Sequence, residues 1–198
     1  MPSPSQTLPV NLARLPLPLQ TERLELRTFR AADFPAYATY HGRPDVYRFL
    51  YTPTPDAQAL QAQFADLLAA PFAQDGDTLR LAVTRRTDGA LVGEVLLKIA
   101  SRNALQAEVG YIFHPDFAGQ GYATEAVAAM LGLGFETLAC HRIFARLDAL
   151  NAGSVGVVER LGLRREAHLV QNDRFDGVWG DEYIYAMLAS EWQSRRKP

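Results

Sequence analysis

The sequence predicts an α/β (α+β) domain, a mixed but mostly antiparallel twisted sheet of about seven strands flanked by helices. Three observations predict it. Apolar alternating runs at 78–85, 90–100 and 108–114 follow one another with only turn residues between them, the pattern of an antiparallel meander. A helix-period stretch then separates the run ending at 114 from the one starting at 142. Those two strands are therefore parallel neighbours joined by a crossover, which the chirality rule makes right-handed. A chain of 198 residues suffices for one domain with a substantial core and is short for two.

Residues 1–20 carry prolines at 2, 4, 9, 16 and 18 and read as an extended arm before a domain over 21–190, with a tail at 191–198. Thr21–Phe29 alternates as a first strand, Leu24 and Leu26 sharing one face. Asp33 with Pro35 marks the start of a short helix, and a second short helix follows Pro44. Ala57–Ala70 is a longer helix, with Leu60, Phe64, Leu67 and Leu68 at helical spacing and Pro71 as breaker. In the meander, Thr87-Asp88-Gly89 is a hairpin turn and Ser101-Arg102-Asn103 a second turn. Ala123–Leu138 follows as a helix, its stripe made by Val127, Met130, Leu131 and Phe135. Arg142–Leu150 is a strand and Ser154–Leu161 a short helix stopped at Gly162. A hairpin of Arg164–Gln171 and Asp181–Leu188 closes the domain through a loop at Asn172–Gly180.

Apolar residues make up 48% and charged residues 21%, the balance of a soluble globular protein. The net charge of −2, from 20 basic and 22 acidic residues, gives no electrostatic case for nucleic acid or a membrane surface. The N-terminus lacks the basic and apolar blocks of a signal peptide, and no apolar run approaches a membrane span. One cysteine, Cys140, excludes an internal disulfide framework and makes a reducing cytoplasm the default.

The segment with chemical content is Phe117-Ala118-Gly119-Gln120-Gly121-Tyr122-Ala123-Thr124-Glu125, between a strand and a helix. Glycines let consecutive N–H groups converge, and a helix N-terminus behind them adds partial positive charge, which together suit a pyrophosphate. A bare turn without ligand is the bland alternative. A nucleoside-triphosphate loop is disfavoured because no Gly-Lys-Ser/Thr follows. A dinucleotide fold is disfavoured because Thr124 stands where a third small residue belongs and the turn comes late, after a meander.

These residues resemble the GNAT superfamily of acyl-CoA N-acyltransferases, and within it the group containing the ribosomal-protein N-acetyltransferases. The pattern Gln/Arg-x-x-Gly-x-Gly/Ala aligns with Ala118-x-x-Gly121-x-Ala123. Three further stretches keep order and spacing: Thr21-Glu22-Arg23-Leu24-Glu25-Leu26-Arg27, Glu108-Val109-Gly110-Tyr111 with His-Pro after it, and Asn151-x-x-Ser154 with Leu161-Gly162-Leu163. The likeness runs on to Asp181-Glu182-Tyr183 and so spans nearly the whole chain. Two positions depart from the pattern. Ala118 replaces the usual Gln or Arg, and Val158 stands where many members carry a general-acid tyrosine.

The resemblance implies a GNAT-like sheet and transfer of an acetyl group from acetyl-CoA directly to a primary amine, without a metal. It implies that Gly119, Gln120, Gly121, Tyr122, Ala123 and Thr124 hold the pyrophosphate by their backbone. A splay of the preceding strand would leave the backbone of Tyr111, Ile112 and Phe113 free to hold the pantetheine arm and polarise the thioester. Glu108 is the implied base, through a water, against the alternative of a solvent-facing glutamate. Ser154 is the implied donor to the sulfur and Asn151 a pantetheine ligand, both residue types that also serve as helix caps. Tyr37, Tyr40 and His41 would form one wall of the acceptor site, and Trp179 with its carboxylate-rich loop the other, unless these only pack. Cys140 reads as a packed residue, His114 in His-Pro as shaping the strand exit, and His41, His141 and His168 are too scattered for a metal site. The acceptor is a protein α-amine or a small amine, an aminoglycoside among them, and a homodimer sharing sheet edges would suit the fold. Left open beside catalysis are a non-catalytic acyl-CoA sensor of the same fold and another acyl group such as succinyl. An NADH-dependent oxidoreductase is disfavoured by the spacing.

Overall fold

A computed structural model describes residues 7, 8 and 11–195. Residues 1–6, 9 and 10 of the proline-rich arm and 196–198 of the tail lie outside the described residues. One sheet of eight strands runs in the order β1-β2-β3-β4-β5-β6-β8-β7. The strands are β1 Leu19–Gln20, β2 Leu24–Thr28, β3 Thr78–Arg85, β4 Leu91–Ser101, β5 Gln106–Phe113, β6 Arg142–Asp148, β7 Arg164–Phe175 and β8 Val178–Leu188. All neighbours are antiparallel except β5 and β6, as the crossover between them requires. The helices are α1 Phe34–His41, α2 Pro44–Tyr47, α3 Ala57–Ala69, α4 Tyr122–Gly132, α5 Ala152–Arg160 and α6 Ala189–Arg195.

Strand alternation sorts residues to two faces. Leu79, Leu81 and Val83 of β3, Val95 and Leu97 of β4, Ala107 and Val109 of β5 and Ile143 and Ala145 of β6 meet Val127, Met130 and Leu131 of α4 in the main core. On the opposite face, Phe29, Leu60, Phe64 and Leu91 pack with Tyr37 and Tyr40. Fully burying a leucine or phenylalanine stabilises by about 1.5–3 kcal/mol, so each face is a substantial source of stability.

Three sequence expectations change. The segment 172–180 is strand rather than loop: β7 and β8 continue to a tight turn at Asp176 and Gly177, both at positive φ. This is the same Asp-Gly signal that turns the chain at residues 88–89, hidden here among polar residues because the hairpin lacks an apolar face to alternate against. Residues 189–195, partly assigned to a tail, form α6, whose Trp192 stacks on Phe135 at 5.7 Å. Asp33 stands at the N-cap of α1 but its side chain does not bond the helix; the carboxylate accepts the Arg30 N–H and the Nη1 and Nη2 groups of Arg27, closing the turn before the helix. Among the described residues, no helix is long and apolar enough to cross a membrane.

Candidate active site

The sheet opens in its middle. β5 and β6 pair only through Gln106–Arg142, Ala107–Ile143 and Glu108–Phe144, while β5 stays paired with β4 as far as Phe113. Beyond Glu108 the β6-facing edge of β5 has no strand partner among the described residues, and strand backbone that lacks one must be satisfied otherwise. Tyr111, Ile112 and Phe113 lie along this open edge, half-buried. The Tyr111 hydroxyl reaches across to α5 and donates to the Ser154 carbonyl at 2.7 Å. Burial pushes the Tyr111 phenol above its ordinary pKa, so it stays protonated.

The glycine turn lies at the end of this strand. Gly119 and Gly121 both occupy the left-handed region, at φ +76° and +78°, where a side chain would be strained. Gly121 is the N-cap of α4 and no side chain caps the helix. The first-turn amides of α4 therefore lack intrahelical partners and sit at the positive end of the helix dipole. Glu125, in that first turn, is held from outside the helix. Its carboxylate accepts from Thr21 Oγ1 (2.6 Å), the Arg23 backbone N–H (2.9 Å) and Arg23 Nε (2.7 Å). Burial would raise the Glu125 pKa, and these hydrogen bonds outweigh it and lower the value. Arg23 also donates from Nη1 to the Gln120 carbonyl at 2.8 Å and lies over the Tyr122 ring. From α5, Arg160 Nε donates to Thr124 Oγ1 at 3.3 Å. Two guanidinium groups thus flank the turn even though position 118 is alanine.

The opposite face of the splay is acidic. Glu108 shares a face with Phe144, and alternation places Arg146 and Asp148 of β6 and Glu182 of β8 on that same side. Arg146 Nε bonds Glu182 Oε1 at 3.0 Å, and Asn172 Nδ2 bonds Glu182 Oε2 at 2.7 Å. The Arg146 pKa is raised by that bond to Glu182 and, against some burial, by the charges of Glu182, Glu108 and Asp173. Tyr51 donates its hydroxyl to Asp148 Oδ2 at 2.6 Å. A Cβ at Gly180 would stand 2.0 Å from that hydroxyl, so only glycine lets the Tyr51 segment lie against the hairpin. Burial and the Asp148 bond push the Tyr51 phenol upward. Four carboxylates, Glu108, Asp148, Asp173 and Glu182, therefore cluster within electrostatic reach of Arg146 or the Tyr51 hydroxyl.

The remaining sequence candidates fall into place around these features. Asn151 caps α5, its Oδ1 accepting the Ser154 N–H at 3.0 Å, and Ser154 sits in the first turn beside the open edge. Val158, at the position of the general-acid tyrosine, is completely buried. Tyr37, Tyr40 and His41 are likewise completely buried, and Tyr37 borders a cavity with Gln63, Leu67 and Arg80. Tyr40 Oη and His41 Nε2 each lie 3.2 Å from the buried Glu94 carboxylate, which also receives Arg80. Burial raises the Glu94 pKa, but the His41 bond and the Arg80 charge overcome this and hold it below the ordinary carboxylate value. Trp179 is 55% exposed near the hairpin turn, against Arg174. Burial pushes the Cys140 thiol up to about 12, which rules out a thiolate nucleophile near neutrality. The structure brings Arg23, Arg160, Tyr51, Asp148, Arg146 and Glu182 to this candidate site, none of which the sequence singled out for it. Arg23 lies within the Thr21–Arg27 stretch that carries the resemblance, but nothing there says that it meets the turn 97 residues later.

Comparison with known proteins places the chain in a family. The family model for the acetyltransferase (GNAT) domain matches residues 23–164. The uncharacterized N-acetyltransferase YnaD of Bacillus subtilis is 30% identical over 176 residues, covering 88% of this chain and 98% of its own. A GNAT-family acetyltransferase from Bacillus anthracis superposes with a TM-score of 0.79 at 28% identity, covering 87% of this chain and 99% of that one. A spermidine N-acetyltransferase from Vibrio cholerae, solved with CoA and spermine, shares the fold at a TM-score of 0.75 and 21% identity, covering 87% and 99% of the two chains. The chain belongs to the GNAT acetyltransferase family and is a GNAT-type acyltransferase.

Proposed function

We propose that the protein transfers an acetyl group from acetyl-CoA to the primary amine of a small cationic acceptor. The observation that carries this reading is the splay itself: a glycine turn and helix N-terminus suited to an anion stand at the end of its open strand, and a cluster of carboxylates occupies one face. The amides of residues 119–124 hold the pyrophosphate, aided by the α4 dipole. The open edge at Tyr111, Ile112 and Phe113 holds the pantetheine and polarises the thioester carbonyl. The Asn151 cap uses Oδ1, so its Nδ2 group is the donor to the pantetheine.

On the acceptor side, an ammonium is drawn by Glu108, Asp148, Asp173 and Glu182. Glu108 takes a proton from it through water, the free amine attacks the thioester carbon, and the carbon–sulfur bond breaks. Ser154 passes its proton to the departing thiolate and takes in return the second proton that the acylated nitrogen sheds, so that the products are the amide and free CoA with one proton left on Glu108. No covalent enzyme intermediate is needed. The carboxylate cluster favours a polyamine-like acceptor over the α-amine of a protein, and the single buried thiol suits a reducing cytoplasm.

One feature favours a second reading, a non-catalytic acyl-CoA sensor: the general-acid position is the buried Val158. An acceptor screen that follows CoA release separates the two. Turnover with spermidine or spermine at lower KM than with peptide α-amines is expected. Preference for peptides would overturn the small-cation assignment, and tight acetyl-CoA binding without turnover on any amine would favour the sensor. Preference for succinyl-CoA as donor would keep the class and change the acyl group.

A further inference from the structure

The glycine turn is short of anything in its own sequence to hold it in an anion-binding shape. Its two glycines are free to rotate, α4 has no side-chain cap, and position 118 offers only a methyl group. The restraint comes from outside the turn. Arg23 Nη1 binds the Gln120 carbonyl, and in a trans peptide the C=O and the following N–H point in opposite directions. Drawing the Gln120 oxygen toward Arg23 therefore aims the Gly121 N–H away from Arg23. Without that bond a peptide between residues flanked by glycines would rotate at little cost.

Arg23 is itself fixed. Its Nε and backbone N–H both reach Glu125, and Thr21 holds the same carboxylate. The pairing has a second effect, since Glu125 would otherwise place an uncompensated negative charge one turn from a bound pyrophosphate.

We infer that Arg23 is a positioning residue for the donor: clamped by Glu125 and Thr21, it fixes the Gln120–Gly121 peptide and neutralises Glu125, and so supplies the restraint that Ala118 cannot. This rests on the acyl-CoA reading of the turn. Arg23 acts on the pyrophosphate end of the donor and not on the thioester, which separates it from a residue that merely stabilises the fold.

The test compares wild type with Arg23→Gln, Arg23→Lys and Glu125→Gln, using acetyl-CoA and, as a donor without pyrophosphate, S-acetylpantetheine. 3′-Phospho-ADP serves as a competitive inhibitor that carries the pyrophosphate without the thioester. In Arg23→Gln, the KM for acetyl-CoA and the Ki for 3′-phospho-ADP should rise together by about tenfold, as loss of a charge-assisted hydrogen bond predicts. The kcat and the acceptor KM should stay within about twofold, and kcat/KM with S-acetylpantetheine should not fall. Arg23→Lys should fall between, because an ammonium can neutralise Glu125 but cannot bridge it to Gln120 in the same fork. Equal losses with both donors, or an unchanged Ki, would overturn the proposal. If Arg23→Gln melts below the assay temperature, Glu125→Gln tests the same clamp: a raised Ki supports it and an unchanged Ki overturns it. A wild type that fails to bind acetyl-CoA would instead remove the acyl-CoA reading itself.

Discussion

The two sides of the opened strand pair are made of different materials. The proposed donor side is backbone: two glycines at positive φ, the first-turn amides of α4 and the edge of β5 that has no strand partner. The proposed acceptor side is side chain: carboxylates from β5, β6, β7 and β8, with Tyr51 from the loop after α2 bound to one of them. Backbone recognition asks little of residue identity beyond glycine, so a short motif reveals it. Side-chain recognition assembled from distant segments leaves no local pattern. The donor side is thus a shape that substitution breaks by strain, and the acceptor side a charge distribution that substitution adjusts.

The largest effect is expected beneath the acceptor side. Glu94 is buried against His41, Tyr40 and Arg80, and Glu94→Gln should cost about 3 kcal/mol of stability at pH 7 by stranding Arg80. The Glu94 pKa is depressed in the folded state, so its contribution is present above the ordinary value of 4.5 and is lost as pH falls through the lower folded value. Urea unfolding at pH 7 and at pH 3 should therefore show the gap between wild type and Glu94→Gln shrinking at the lower pH. A gap that is constant or widens on acidification would contradict the assignment.

Glu108→Gln should come next, lowering kcat by roughly 10²-fold, about 2.7 kcal/mol, while acetyl-CoA affinity is retained. A full-rate variant would return Glu108 to the role of an exposed strand residue and leave the base to another carboxylate of the cluster. On the donor side, Gly121→Val should weaken acetyl-CoA binding roughly 10-fold, since a side chain at φ +78° costs about 1–2 kcal/mol. Its effect should fall on the acetyl-CoA KM with the acceptor KM unchanged. The smallest effect is expected from Asp173→Asn, about threefold on the KM of a cationic acceptor, because a single screened charge is worth under about 1 kcal/mol in water. That threefold should vanish at high salt, and persistence there would mean contact instead of field.

The sequence makes the donor side legible for a physical reason. Glycine is the least strained residue at the two positive φ values that Gly119 and Gly121 adopt just before α4, and Asn151 three residues before Ser154 is a capping signal that the structure repeats in geometry. Most strands are legible because one face is buried, as Leu79, Leu81 and Val83 show. The outer hairpin is not: β7 is largely exposed on both faces, so its alternation disappears and a strand reads as loop. The aromatic cluster misleads differently. Tyr37, Tyr40 and His41 look like recognition residues, yet helical spacing places them inward, around a glutamate more than 50 residues away. Sequence gives the type of such residues and not what they meet.

The most direct test of the central claim is calorimetric titration of the protein with acetyl-CoA, with NADH as comparator. Micromolar-range binding of acetyl-CoA, on the order of −8 kcal/mol, with no response to NADH is the predicted result. Absence of acetyl-CoA binding would contradict it, leaving the glycine turn as a turn and the splay without a donor.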